Sequence, residues 1–177
     1  IGWLSSLLLV RVSLPWFKDR RLWNPVAWST GLLWFVPFIH ARASSESLAG
    51  SLFLIGVLLP ILFEKSRWSL RGAGLLLGAA SLAKFQAGLL VSGYWFWLLA
   101  MPSDESASRR DSGVLQMVPG FAFMLGIGVV LDRLGYGLWQ FTPWRYFHVN
   151  LIEGVSFRFS QQPWWFYFKD SALFLPP

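Results

Sequence analysis

The sequence contains no cysteine, which excludes a disulfide framework and any thiolate metal or redox centre within it. It has two histidines, His40 and His148, too far apart to show a metal-ligand spacing, so no metal site is expected. Acids are scarce, nine against fifteen basic residues, and candidates for general acid or base chemistry are correspondingly few. The net charge of +6 does not indicate nucleic acid, because the basic residues are dealt out between apolar runs instead of being gathered on a soluble face. No cofactor is expected. The chain opens on Ile1 and stops on Pro176-Pro177 just after an apolar run. The expectation is an internal piece of a longer protein, and no signal peptide is assigned.

What is abundant defines the class. Apolar residues make up 55% of the 177 positions, and twelve of them are tryptophan, far more than a soluble core needs. The fold class expected is all-α, a polytopic transmembrane helix bundle. Six apolar segments are legible: 1–14, 25–40, 47–63, 72–83, 87–101 and 114–131. Several are shorter than the roughly 20 residues of a straight span. The segment 72–83 is the shortest, and is expected to be re-entrant or packed within protein, where its ends are covered by other chain.

If every segment crosses, Lys18, Arg20, Arg21, Lys65, Arg67, Arg71, Arg109 and Arg110 fall on one side, with Arg42 and Lys84 opposite. The crowded side reads as cytoplasmic. The run 103–112 then reads as a solvated cytoplasmic loop. Residues 1–131 form the expected membrane region, and 132–177 a loop on the luminal or periplasmic side.

That loop is crowded with aromatics carrying a polar edge, among them Tyr136, Trp139, Trp144, Tyr146, Trp164, Trp165 and Tyr167, the residue types favoured at a headgroup zone. Thr142-Pro143 reads as a helix start, threonine capping and proline at the first helical position. Trp144, Phe147, His148 and Leu151 then recur on one helical face. Such a stripe suits an interfacial helix and equally a helix docked on other protein.

Within this loop the order Asp132, Tyr136-Gly137, Thr142-Pro143-Trp144, Asn150, Gly154 and Pro163-Trp164-Trp165-Phe166-Tyr167 resembles the luminal loop of the glycosyltransferase family 22 mannosyltransferases, which build asparagine-linked glycans and GPI anchors. Arg145 stands where that pattern has an asparagine, and Ser160 near the place of a glycine. The family's Arg-x-x-Ser-Asn-Ser-x-Glu pattern is met by Arg42 and Ser45, with Glu46 in place of the asparagine and Ala49 in place of the glutamate. Its Arg-Phe-Gln is met by Lys84-Phe85-Gln86, which keeps the cation and loses the planar fork.

The resemblance implies a GT-C membrane enzyme that moves mannose from a polyprenyl-phosphate donor to a glycan or glycolipid acceptor, inverting the anomeric centre. Arg42, Lys84 and Arg145 are the expected cations for the donor phosphate. Asp132, Tyr136, Thr142, Trp144, Asn150, Trp164, Trp165 and Tyr167 are the expected sugar- and acceptor-binding residues. The family's principal carboxylate lies in a first luminal loop with a His-Pro-Asp-Glu context, absent from this sequence. Asp132 is the best acid present, with a structural or acceptor-binding role preferred over catalysis. The lipid bilayer is an expected partner, in the plasma membrane of a bacterium or the endoplasmic reticulum of a eukaryote. Two other readings stay open on residues alone: a transferase for a different lipid-phosphate sugar, and a non-enzymatic lipid-glycan transporter or scaffold. Snorkelling explains Lys84, a surface pair explains Arg42 and Glu46, and membrane anchoring explains each tryptophan as well as ligand binding does.

Overall fold

The structure is a computed structural model that describes residues 1–32, 44–64, 66–100, 107–158, 163 and 165–166. Every regular element among them is helical. We label the α-helices α1 (Gly2–Ser13), α2 (Trp23–Leu32), α3 (Ser45–Leu62), α4 (Arg67–Ala83), α5 (Ala87–Ala100), α6 (Ala107–Tyr136) and α7 (Thr142–Phe147). The chain divides into two compact units, Ile1–Trp139 and one that begins at Gln140.

Serines start two of the central helices. The Ser47 N–H donates to Ser44 Oγ at 3.1 Å and the Ser69 N–H to Ser66 Oγ at 3.2 Å, each satisfying an amide that a helix start leaves orphaned. This is why α4 begins at Arg67 rather than at Gly72: the cap at Ser66 recruits a polar turn ahead of the apolar run. Replacing Ser66 with alanine should cost about 1 kcal/mol of stability, with aspartate retaining most of it. Thermal unfolding of the purified protein in detergent checks this.

The helix α4 is the centre of the first unit. Ala73, Leu77 and Ala80 are each 0% exposed, and α3 and α6 pack on either side of it. The expectation of a short segment packed within protein therefore holds for it. Leu70, Ala73, Leu77, Val91 and Met117 form the main buried cluster, with Phe53, Tyr94, Trp95 and Phe121 against it.

Small residues set how closely these helices approach. A Cβ at Gly56 of α3 meets Leu77, and one at Gly72 of α4 meets Leu59, so α3 and α4 run antiparallel. Gly74 abuts the Met117 carbonyl, Gly78 faces Phe121 and Met124, Gly120 abuts Arg71, and Gly128 faces Leu82. Those pairings advance together along both chains, so α4 and α6 run parallel, with α5 returning the chain between them. The buried serines Ser51, Ser69 and Ser81 turn their hydroxyls onto carbonyls of their own helices, which lets polar residues lie in an apolar contact without an unmet donor.

Among the described residues, two helices are long and apolar enough to cross a membrane, Ser45–Leu62 and the stretch Gly113–Tyr136 of α6. Ala87–Ala100 is apolar but shorter. Their outer faces carry exposed Leu89, Phe96, Leu115, Phe123 and Leu131, the distribution of a helix solvated by lipid rather than water.

Two features depart from the sequence reading. The helix α6 begins at Ala107, so the second half of the expected loop 103–112 is helical. Ala107, Arg109 and Arg110 are good helix formers and no glycine intervenes before Gly113. At its other end α6 runs past Leu131 to Tyr136, and Gly137 at φ +73° ends it, its N–H bonding the Arg133 carbonyl at 3.0 Å. A glycine in the left-handed region is the usual way to stop a helix.

Candidate active site

The parallel and antiparallel pairings bring three sequence-predicted features to one end of the first unit. Antiparallel packing sets the start of α3 beside the end of α4, where Lys84 Nζ meets Glu46 Oε1 at 2.5 Å. Parallel packing sets the end of α6 at the same level: Gly128 faces Leu82, one turn before Asp132 and two residues before Lys84. Lys84, Glu46 and Asp132 therefore share an end, and Arg67 and Arg71 lie at the other. Arg42 precedes the Ser44 cap by two residues in sequence and lies outside the described residues, as does His40.

Lys84 is the C-cap residue of α4, in extended conformation with its N–H on the Ala80 carbonyl. A cation there also opposes the partial negative charge of the helix end. Its side chain is about one-third exposed and that of Glu46 is mostly exposed, so the pair is reached by water. Ala49, where the family pattern has a glutamate, is 3% exposed and packs with Ala80 and Ala87. A glutamate at 49 would have to displace that alanine contact. The acid one turn earlier, at 46, meets the cation instead.

Asp132 and Tyr136 lie on the last turns of α6, with Tyr136 exposed. Arg133 folds back on the turn that follows: its guanidinium donates to the Gly137 carbonyl and lies 5.9 Å from the centre of the Trp139 ring, a cation–π distance. Earlier along α6, Phe123, Gly126, Ile127, Val130 and Leu131 line an apolar groove of about 420 Å³.

The second unit carries the aromatic segment. The helix α7 starts at Thr142 with Pro143 in its first turn, and Phe141 holds the cap position with no side-chain cap. Threonine as the cap is thus corrected by one residue: the Arg145 N–H already bonds the Phe141 carbonyl at 3.1 Å, which makes Thr142 helical, and Pro143 wastes no donor in either register. Trp144 and Phe147 stack with ring centres 5.6 Å apart and planes 21° apart, and both are exposed. Arg145 Nη1 donates to Gln140 Oε1 at 2.7 Å. Asn150 Nδ2 donates to the Tyr146 carbonyl at 2.9 Å, so its amide serves the local backbone. Trp165 is exposed, while Trp164 and Tyr167 lie outside the described residues.

One arrangement in this unit was not legible in the sequence. From His148 to Ile152 the helix widens into a π turn, closed by the Glu153 N–H on the His148 carbonyl at 2.9 Å. That extra residue per turn moves Leu151 off the α-helical stripe and brings Glu153 Oε1 within 3.0 Å of His148 Nδ1. A spacing of five is not a neighbour spacing on an α-helix, so no periodicity signal marks the pair.

Residues 6–175 match the Alg9-like mannosyltransferase family. The chain is similar to GPI mannosyltransferase 3 of Trypanosoma brucei brucei, 31% identical over 99 residues that cover 52% of this chain and 17% of that protein. It is similar to mannosyltransferase APTG1 of Arabidopsis thaliana, 23% identical over 148 residues, 79% of this chain and 26% of that one. It is also similar to GPI mannosyltransferase 3 of Aspergillus fumigatus, 34% identical over 62 residues, 35% of this chain and 8% of that one. The chain thus spans about a quarter or less of the length of these relatives. No solved structure matches.

Proposed function

Because the chain belongs to the Alg9-like mannosyltransferase family, we propose that the protein is a multi-pass membrane enzyme transferring mannose from a polyprenyl-phosphate donor to a glycan or glycolipid. The observation that carries this reading is the family match over nearly the whole chain, residues 6–175. The names of the relatives favour a GPI-type glycolipid as the acceptor.

In this reaction the acceptor hydroxyl attacks the anomeric carbon from the face opposite the phosphate. The bond to the phosphate oxygen breaks with its electron pair, and the polyprenyl phosphate leaves. Negative charge grows on that oxygen in the transition state, and a fixed cation stabilises it most where water is excluded. Lys84 of the first unit takes this role together with Arg42, so that the donor's single phosphate needs no metal. Asp132, at the same end as Lys84, serves the acceptor or fixes the helix end, and the proton-accepting carboxylate is the one the resemblance assigns to a first luminal loop. The apolar groove on α6 suits an isoprenoid chain, being lined by Phe123, Ile127, Val130 and Leu131 below Asp132. In the second unit Trp144 and Trp165 present exposed indole faces of the kind that pack on sugar C–H surfaces.

The test is a transfer assay on the full-length protein in membranes, with mannosyl and glucosyl polyprenyl phosphates as rival donors. Mannose should be favoured by about 100-fold or more, since a site built to bind one hydroxyl arrangement leaves polar groups unpaired with the other. Equal rates, or transfer of glucose alone, would assign the protein to another lipid-phosphate-sugar transferase. Transfer of neither, with the glycolipid bound, would favour a carrier.

A further inference from the structure

We propose that Trp144 and His148 form a saccharide-binding edge on the second unit, that Glu153 is its positioning residue, and that its ligand is a neutral hydroxyl-bearing sugar ring of the acceptor. The inference rests on the proposed glycan-handling function, and the pair His148 and Glu153 lies outside the positions that carry the family resemblance.

The α-helical geometry persists up to His148, whose N–H bonds back to the Trp144 carbonyl. Residues four apart on such a helix lie on the same face, so Trp144 and His148 share one face. Trp144 is 60% exposed. One face of its ring lies against Phe147, and its exposure leaves surface for a ligand.

The imidazole is fixed from behind. Its Nδ1 lies 3.0 Å from Glu153 Oε1, and an ionised carboxylate only accepts, so Nδ1 carries the proton. That leaves Nε2 to meet a sugar hydroxyl, which can both donate and accept a hydrogen bond. The π turn is what allows this, since an α-helical turn would carry Glu153 round to another face. π turns of a single repeat recur at functional sites. Gly154 at φ +68° then turns the chain out of the helix, a conformation that strains any other residue type.

Hydrogen-bonding chemistry selects the ligand: a ring nitrogen backed by a carboxylate suits an uncharged hydroxyl. An aromatic face beside a fixed hydrogen-bonding group matches a pyranose, which has an apolar C–H face and a polar rim.

Two measurements on the full-length protein test this. In transfer kinetics at saturating donor, His148→Ala should raise the acceptor KM about tenfold, the value of one net hydrogen bond with some packing, with kcat and donor KM held within about twofold. Glu153→Ala should move the acceptor KM in the same direction. Glu153→Gln should stay close to the unsubstituted protein, because the amide oxygen still accepts from Nδ1. An unchanged acceptor KM in His148→Ala, or a donor KM that rises equally, overturns the proposal. Independently of transfer, saturation-transfer NMR should detect mannobiose on the unsubstituted protein and lose it in His148→Ala and Trp144→Ala. Undiminished binding in both variants overturns it. Failure of the unsubstituted protein to move mannose would instead count against the enzymatic reading, and the binding measurement would still decide the edge.

Discussion

Gly74→Leu should leave almost no folded protein. The Cβ of any residue at this position runs into the Met117 carbonyl, and the obstacle is backbone, which cannot rotate away. Gly120 repeats the problem from the other side, its Cβ meeting the Arg71 carbonyl and Leu75 N, the latter at 2.9 Å. One turn on, Gly78 faces Met124 Cβ at 2.7 Å and the Phe121 carbonyl at 2.9 Å. Gly74 and Gly78 are the two glycines of a Gly-x-x-x-Gly spacing, by which lipid-solvated helices reach backbone contact and gain packing that lipid cannot supply. Overpacking a core costs about 1–3 kcal/mol when side chains can shift. Here the helices themselves must part, along the interface that holds α4 at the centre of its unit.

Even Gly74→Ala should lower the yield of monodisperse protein severely on size-exclusion chromatography in detergent. Gly93→Ala provides the contrast, since nothing lies within 4 Å of a Cβ there. It should be neutral or stabilising by about 0.5–1 kcal/mol, as removal of a helical glycine generally is. Indistinguishable behaviour of the two alanine variants would refute the close approach of α4 and α6.

This contrast bears on what the sequence made legible. Apolar runs located the helices α3, α4, α5 and α6, because bilayer-scale hydrophobicity is a local property of the chain. The packing of α4 within protein followed from the shortness of its apolar run. Helix ends were less legible. Ala107 to Ser112 is polar, and polarity alone does not separate a solvated loop from a solvated helical turn. Asp132 to Tyr136 likewise stays helical until a glycine can adopt positive φ. The pairings were illegible for a physical reason: Glu46 and Lys84 are 38 residues apart and meet only through the direction of α3 against α4. His148 and Glu153 meet only because the helix widens. Resemblance supplied the family and the candidate residues, whereas the ion pair at 46 and 84 comes from positions where this chain departs from the family pattern.

That departure yields the second large effect expected. Lys84→Glu places two carboxylates at the end shared with Asp132 and should reduce mannose transfer by roughly 100-fold or more, the scale of losing one charge-stabilising group from a transition state. Stability should change far less, because a wet pair contributes about 0–1 kcal/mol. The informative variant is the double reversal, Glu46→Lys with Lys84→Glu, which restores an opposite-charge pair between α3 and α4 with its poles exchanged. If Lys84 serves only to tie the helices together, the reversal should recover transfer along with the melting temperature. If its cation faces the donor phosphate, the melting temperature should recover apart from the dipole cost of the exchanged poles, while transfer stays low because the positive charge now stands on α3 and no longer at residue 84. We expect the second outcome. Lys84→Arg should then keep most of the activity, since the sign and place of the charge are preserved and only the geometry of the donor group changes.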